Sequence, residues 1–191
     1  MKSKKGFVVL VIAFAVLLVL AGFAYTKLSE KVGEQNNLVA SEDKQTQQEI
    51  TRVEVPDFTV TDWEGNTVNL SDFKGKPVVA NFWASWCGPC QMEMPDFEEK
   101  YKEYGDDIHF LIINVTDGNR ETVETAKTFI QGTDYTFPVY FDTMLDASDK
   151  YRVYSLPTTF FFDAEGYGVA QATGMISAEY LQKGIDLIYT P

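Results

Sequence analysis

Hydrophobic and polar positions divide this chain into three stretches. Residues 6–26 form an apolar run without a charged side chain, and residues 27–55 are polar with no sustained apolar period. From Pro56 onward, short apolar segments recur between polar ones at the spacings of strands and helices. The pattern predicts an apolar segment, a flexible linker over 27–55 and one folded domain over 56–191, which is a common single-domain size.

Within the domain, apolar segments predict strands that alternate with helices. The predicted strands lie at 58–61, 67–70, 77–84, 108–115, 137–141, 158–162 and 169–173, and the predicted helices at 89–104, 121–131 and 177–189. Glu64-Gly65-Asn66 and Ala164-Glu165-Gly166 stand between pairs of strands and indicate two hairpins. The order predicts an α/β fold with a central mixed sheet and helices on both faces.

The apolar run at 6–26 is long enough to cross a bilayer as a helix, whose hydrocarbon core is about 30 Å thick. Lys2, Lys4 and Lys5 precede it. Because positive charge favours the cytoplasmic side, we expect residues 1–5 to be a cytoplasmic tip, the run to be a single-pass signal-anchor and the domain to lie outside the cell membrane. A cleaved signal peptide is the alternative, since Gly22-Phe23-Ala24 offers small residues typical of a cleavage site.

Charge and cysteine content narrow the function classes. From residue 56 onward there are 22 Asp and Glu against 9 Lys and Arg, a net charge of −13. Such a surface repels nucleic acid, whose phosphates need cationic partners. The chain has two cysteines and one histidine. Two cysteines are too few for a disulfide-scaffolded protein. With a single histidine as well, we expect neither a cofactor nor a metal ion.

The sequence Cys87-Gly88-Pro89-Cys90 stands where an apolar strand is followed by a helix. Free N–H groups and the dipole at a helix start stabilise a thiolate, which makes Cys87 the predicted nucleophile. Pro89 suits the first helical turn, where an N–H group is not needed. Cys90 lies one turn later and is the predicted resolving thiol, close enough to form a disulfide with Cys87.

Three other interpretations of this cysteine pair compete with redox exchange. A structural disulfide is one, although a bridge this short constrains little of the chain. Half of a zinc site is another, although tetrahedral zinc needs further ligands. The third is a pair of inert core thiols, which the flanking Trp86 and Pro89 make a poorer explanation. The context of the pair favours redox chemistry.

The stretch NFWASWCGPCQMEMP, residues 81–95, resembles the active-site strand and helix of thioredoxins. It is most similar to the TlpA/ResA group of membrane-anchored thioredoxin-like proteins. The resemblance extends over nearly all of residues 56–191, including LPTTFFFD at 156–163 and Gly174 before the last helix. It implies a thioredoxin-like fold with an extra N-terminal β-hairpin, dithiol–disulfide exchange and a location outside the cytoplasmic membrane.

The resemblance also implies roles for residues around the cysteines. Pro157 matches a cis-proline that faces the cysteine pair, and the backbone of Leu156 before it pairs with substrate. Trp86 and Pro89 contribute to the substrate-binding face. Composition alone indicates only a turn at Pro157, because cis bonds are a minority even before proline.

Glu93 follows Cys90 by three residues, on the same helical face. ResA-like proteins have an active-site glutamate at the matching position, where burial would raise the carboxyl pKa and allow proton exchange with Cys90. Spacing alone favours an ordinary surface glutamate. Asn81 departs from the buried aspartate of cytoplasmic thioredoxins and cannot titrate. His109 begins a predicted strand, so we expect it at the edge opposite Cys87.

We therefore expect an extracytoplasmic thiol–disulfide oxidoreductase. Reduction is favoured over oxidation or isomerisation, because CGPC is the pattern of reducing thioredoxins. The resemblance implies a disulfide-containing protein substrate, with apocytochrome c as a candidate in cytochrome c maturation, and a membrane electron donor of the CcdA/DsbD type. A copper-delivery module and a non-catalytic interaction domain are the alternatives from other classes, although copper delivery typically needs wider cysteine spacing and a well-placed histidine.

Overall fold

The computed structural model of the protein describes residues 51–190. The strands in this part of the chain are β1 Thr59–Thr61, β2 Thr67–Asn69, β3 Val78–Trp83, β4 His109–Asn114, β5 Val139–Phe141, β6 Thr158–Phe162 and β7 Gly168–Thr173. The helices are α1 Gly88–Tyr104, α2 Val123–Gln131, α3 Asp146–Lys150 and α4 Ala178–Ile188, with a 3₁₀ helix at Leu70–Phe73. No helix between residues 51 and 190 is both long enough and apolar enough to cross a membrane. The tip, the anchor and residues 27–50 of the predicted linker lie outside the described residues.

The seven strands form one sheet in the order β2-β1-β5-β4-β3-β6-β7. Strands β3, β4 and β5 run parallel, whereas β1 and β6 pair antiparallel with their neighbours. The predicted mixed sheet and both predicted hairpins are confirmed. Because the three central strands are parallel, their carboxyl ends meet at one edge, where α/β proteins usually place their sites.

Two apolar clusters cover the two faces of the sheet. One contains side chains of α1, α2 and α4, including Met94, Phe97, Ala126, Leu181 and Ile185. The other contains the N-terminal hairpin and α3, including Phe58, Val60, Ala147, Tyr151 and Phe160. Residues of β3 alternate between them, as expected for a strand buried on both faces. Helices on both faces of the sheet are thereby confirmed.

The structure differs from the predicted elements in four places. Helix α2 begins at Val123 rather than at Glu121, because Thr122 is its cap and accepts a hydrogen bond from the N–H of Thr125. The 3₁₀ helix and the five-residue α3 were not predicted, because both are too short for a helical period to show. Contacts to the domain also begin before Pro56, since Val53 pairs with Gly168.

Candidate active site

The cysteine pair lies between the end of β3 and the first turn of α1. Cys87 is the N-terminal cap of α1, and its Sγ accepts a hydrogen bond from the backbone N–H of Cys90 at 3.2 Å. The two cysteines form a disulfide, with their Cα atoms 5.3 Å apart. Cys87 is 4% exposed and Cys90 is 0% exposed. The sequence therefore placed the pair correctly at the strand-to-helix turn, with the second cysteine deeper in the domain.

Glu93 is buried one helical turn after Cys90, with only 2% of its surface exposed. Its Oε1 accepts a hydrogen bond from Asn81 Nδ2 at 2.8 Å, and its Oε2 accepts one from the N–H of Ile176 at 2.9 Å. Burial raises the pKa of Glu93 to about 7, although both hydrogen bonds act to lower it. The alternative of an ordinary surface glutamate is wrong.

Asn81 joins the helix that carries the cysteines to strand β6. Its Nδ2 donates to Glu93 and also to Thr159 Oγ1, at 3.0 Å. Asn81 is itself 2% exposed, so an amide occupies the strand position that the resemblance associates with aspartate. The amide at position 81 is visible in the sequence, but its partner Thr159 and the second donor to Glu93, the N–H of Ile176, are not, because both lie far away along the chain.

The peptide bond between Leu156 and Pro157 is cis, as the resemblance implies. The next residue, Thr158, pairs with Phe82 near the end of β3, so Pro157 lies at the same edge of the sheet as Cys87. The carbonyl of Pro157 accepts a hydrogen bond from the N–H of Gly174 at 2.9 Å. Gly174 has a φ of +87°, a conformation that favours glycine and explains its position after β7.

The turn before Cys87 is held by a buried glutamate that sequence analysis did not single out. The Glu121 carboxylate accepts hydrogen bonds from the N–H of Ser85 at 3.0 Å, from Ser85 Oγ at 2.7 Å and from Asn114 Nδ2 at 2.8 Å. Glu121 is 1% exposed. No local pattern marks this role, since Glu121 precedes α2 and reaches a turn that lies 36 positions earlier.

The two tryptophans near the cysteines differ in their surroundings. Trp83 is buried in the core against Phe129, whereas Trp86 is 41% exposed beside Cys87. The guanidinium carbon of Arg120 lies 3.5 Å from the centre of the Trp86 ring. Trp86 therefore belongs to the accessible rim of the site, together with the exposed Pro89.

His109 does not join this site. It begins β4 and pairs with Val78, the first residue of β3, so it lies at the opposite end of the strands from Cys87. Its ring is half-buried against Phe73, and burial lowers its pKa. Across residues 51–190, no group of three or more His, Cys, Asp or Glu side chains is arranged to hold a metal ion.

Comparison with known proteins agrees with this geometry. The AhpC/TSA family matches residues 51–168. The thiol–disulfide oxidoreductase ResA of Bacillus thuringiensis subsp. konkukian is 40% identical over 133 residues, covering 68% of this chain and 73% of that protein. The thioredoxin-like protein YneN of Bacillus subtilis is 34% identical over 134 residues, covering 70% of this chain and 78% of YneN.

Solved structures show the same fold. The exposed lipoprotein thioredoxin Etrx1 of Streptococcus pneumoniae has a TM-score of 0.61 at 37% identity, covering 69% of this chain and all of Etrx1. StoA of Bacillus subtilis has a TM-score of 0.59 at 25% identity, covering 69% of this chain and 98% of StoA. The predicted thioredoxin-like fold is confirmed. The chain belongs to the AhpC/TSA family and, within it, to the ResA-type thiol–disulfide oxidoreductases.

Proposed function

We propose that this protein reduces disulfide bonds in proteins outside the cytoplasmic membrane. The observation that carries the proposal is Glu93, a buried carboxylate one turn after Cys90. When it is ionised, its negative charge disfavours a second negative charge on either sulfur. A dithiol whose thiolate is weakly stabilised gives up its electrons readily, whereas strong oxidants stabilise their reduced form.

The surroundings of Cys87 support the same direction. Within residues 51–190, the group that donates a hydrogen bond to its sulfur is one backbone N–H, that of Cys90. This N–H and the dipole of α1 stabilise a thiolate on Cys87, which makes it the attacking sulfur. The dipeptide Gly88-Pro89 agrees with this, because it is the pattern of reducing thioredoxins.

Reduction proceeds through a mixed disulfide. The Cys87 thiolate attacks one sulfur of the substrate disulfide and bonds to it, and the other substrate sulfur leaves and takes up a proton. The Cys90 thiolate then attacks the Cys87 sulfur, forms the Cys87–Cys90 disulfide and releases the second substrate sulfur. Two electrons have passed to the substrate, so a dithiol donor must reduce the pair before the next cycle.

Glu93 acts as the base for the second step in this proposal. A carboxyl group with a pKa of about 7 is ionised in a large fraction of molecules near neutral pH. It therefore accepts the proton of Cys90 as that thiol becomes a nucleophile, and returns it when the pair is reduced again. Asn81 and the N–H of Ile176 position the carboxylate for this task.

The substrate lies across the rim formed by Trp86, Pro89, Leu156 and Pro157. The backbone of Leu156 offers hydrogen bonds to an extended segment of the substrate, beside the sulfur of Cys87. The position of Pro157 next to the end of β3 supports this role. Because contacts to backbone do not read sequence, such a site accepts several protein substrates.

Residues 6–26 anchor the chain in the cell membrane with residues 1–5 in the cytoplasm and the domain outside. The apolar run and the three lysines before it support this topology. Electrons then come through a membrane carrier of the CcdA/DsbD type, and apocytochrome c in cytochrome c maturation is a candidate substrate. The name of Etrx1 describes an exposed lipoprotein, which agrees with a domain on the outer side.

Two measurements test the proposal on the purified full-length chain. Its reduction potential, measured against glutathione or dithiothreitol, should lie nearer to about −270 mV, as in thioredoxin, than to about −120 mV, as in DsbA. A value at the oxidising end would assign the protein to disulfide formation instead.

In cells, Cys90→Ala should retain substrates as mixed disulfides through Cys87, and the captured proteins identify the pathway. A Cys87→Ser, Cys90→Ala chain is the matched control and should capture none.

A further inference from the structure

A cationic side chain stacks on Trp86, the residue before the nucleophile, and takes no part in the chemistry described above. The Arg120 guanidinium carbon lies 3.5 Å from the centre of the Trp86 ring, and Trp86 directly precedes Cys87. Attraction between a cation and the face of an aromatic ring holds the guanidinium in this position. Arg120 is exposed, so its charge is presented at the rim that meets the substrate.

The loop that carries Arg120 is fixed to the turn that carries Trp86. Asp117 Oδ1 accepts hydrogen bonds from the N–H groups of Asn119, Arg120 and Glu121, at 2.8, 2.8 and 2.9 Å. The carboxylate of Glu121 in turn binds Ser85, one residue before Trp86. Arg120 therefore lies on a loop that hydrogen bonds hold in place, and its position relative to Cys87 is set before the substrate binds.

The guanidinium of Arg120 is not hydrogen-bonded to another described residue, although the charge of Asp117 interacts with it. Between residues 51 and 190, no carboxylate or carbonyl accepts a hydrogen bond from its guanidinium, which offers five N–H donors. Arg52, by contrast, has its Nε 3.0 Å from Asp163 Oδ2. An arginine that stacks on a ring keeps the edges of its plane open, and those edges fit a carboxylate with two parallel hydrogen bonds.

The acidic surface around Arg120 makes its positive charge selective for acidic groups of a substrate. The domain from residue 56 has a net charge of −13, which repels acidic segments of a substrate. Residues 84–92 have no charged side chain. The carboxylate of Asp117 is held by backbone N–H groups, and its negative charge interacts with Arg120. Arg120 therefore supplies a local positive charge at a rim that would otherwise offer an anion no partner.

We propose that Arg120 is a specificity-determining residue that binds a carboxylate of the substrate next to the disulfide attacked by Cys87. The substrate class is a protein whose reactive cysteine has an aspartate or glutamate beside it. The inference rests on the proposed function, since it concerns the disulfide that is reduced. It also predicts the orientation of the bound substrate, because contacts of its carboxylate with Arg120 and of its disulfide with Cys87 fix two points.

The test compares two disulfide peptides that differ by Glu or Gln next to the attacked cysteine. The reduced full-length chain should react with the Glu peptide roughly tenfold faster, as expected for charge-assisted hydrogen bonds. Arg120→Gln should bring the ratio of the two rates close to 1, and Arg120→Lys should retain part of it. High salt should also shrink the ratio, because the carboxylate and Arg120 meet near solvent.

Lys183→Gln is the matched control, since it removes one exposed positive charge on α4 and should leave the ratio unchanged. The inference is wrong if Arg120→Gln leaves the ratio unchanged, or slows both peptides equally. The rate with the Gln peptide reports on reduction itself. If the wild-type chain reduces neither peptide, the proposed function fails, and Arg120 is then judged by affinity. Serine analogues of the two peptides should differ in Kd for wild type and not for Arg120→Gln.

Discussion

The two halves of helix α1 each bury a glutamate, and the two glutamates behave in opposite ways. Glu93 is 2% exposed and Glu98 is 7% exposed. At Glu93, burial raises the pKa to about 7. At Glu98, burial also opposes ionisation, but the surrounding donors outweigh it and the pKa is lowered. Burial on the same helix therefore does not by itself decide the charge of a carboxyl group.

The two carboxyl groups differ in how strongly burial acts on them and in the donors that each receives. Glu93 accepts hydrogen bonds from the side chain of Asn81 and the N–H of Ile176. Glu98 accepts hydrogen bonds from the N–H and Oγ1 of Thr136 and from the N–H of Phe137, and it pairs with Lys102 at 2.9 Å. The C-terminal half of α1 thus carries a glutamate whose four donors favour the ionised form, whereas the N-terminal half carries one whose pKa lies near neutral pH.

The largest expected effect is on the rate of disulfide exchange, at the N-terminal end of helix α1. Cys87→Ser should lower the rate of disulfide exchange by about 1,000-fold or more, because a hydroxyl replaces the thiolate nucleophile. The measurement is thiol release from a disulfide substrate by the reduced full-length chain. Glu98→Gln serves as the control from the other half and should retain the wild-type rate. An equal loss in both variants would erase the functional contrast between the halves.

The ionisation of Glu93 should be visible in the stability of the protein. The folded protein keeps a proton that the unfolded chain loses above pH 4.5, so wild-type stability should fall as pH rises from 4.5 to 7. The fall attributable to Glu93 is about 3 kcal/mol. Glu93→Gln should lack it, as measured by urea unfolding of both proteins across this range. Parallel curves for the two proteins would contradict a raised pKa.

The same group should shape the pH dependence of the reaction. Glu93→Gln should lower kcat/KM at pH 7.5 by roughly 100-fold, the lower end of the range for general acid–base catalysis. The wild-type rate should rise as pH increases through about 7, because ionised Glu93 accepts the proton of Cys90. The variant should lack this inflection. If only the rate fell and the inflection stayed, the titrating group would be another one.

The C-terminal half should respond in stability and not in rate. Glu98→Gln should lower the free energy of unfolding at pH 7 by about 2 kcal/mol, because charge-assisted hydrogen bonds to Thr136 and Phe137 are weakened. A lowered pKa means that this contribution is present above pH 4.5 and is lost as pH falls through the pKa of the folded state. The difference between variant and wild type should therefore shrink in acid.

The smallest expected effect is that of Lys102→Ala, which separates the contribution of the ion pair at Glu98 from that of its backbone donors. Lys102 is 62% exposed, so Lys102→Ala should cost less than about 1 kcal/mol of stability. Urea unfolding at pH 7 measures it beside Glu98→Gln. A loss as large as that of Glu98→Gln would mean that the ion pair, and not the backbone donors, accounts for the difference between the two glutamates.

The catalytic turn was predictable because its signals are local. Strand β3 begins and ends one residue inside the predicted boundaries, and Cys87 caps α1 as the CGPC pattern indicates. Glu93 was singled out by the resemblance, since spacing alone favoured a surface glutamate, and nothing near it in the chain indicates its donors. Asn81 and Ile176 reach it from a strand and from a loop that are 12 and 83 positions away.

Elements that depend on distant partners were missed. Helix α3 has five residues, and its first turn is held by Asp142, whose carboxylate accepts hydrogen bonds from the N–H groups of Ala147 and Ser148. Glu121 and Arg120 look like ordinary charged residues before a helix. Their contacts with Ser85 and Trp86 appear only when β3 and β4 pair side by side.

The sequence by itself determined the order of strands and helices, the cysteine pair at the start of α1 and the identity of the reacting atoms. Periodicity, capping and a reactive motif are properties of neighbouring residues, and therefore they can be read along the chain. The tertiary structure decided which carboxyl group has a raised pKa and which arginine stacks on Trp86. A pKa and an open hydrogen-bonding edge depend on the burial and the donors that distant segments bring together, and only folding sets these.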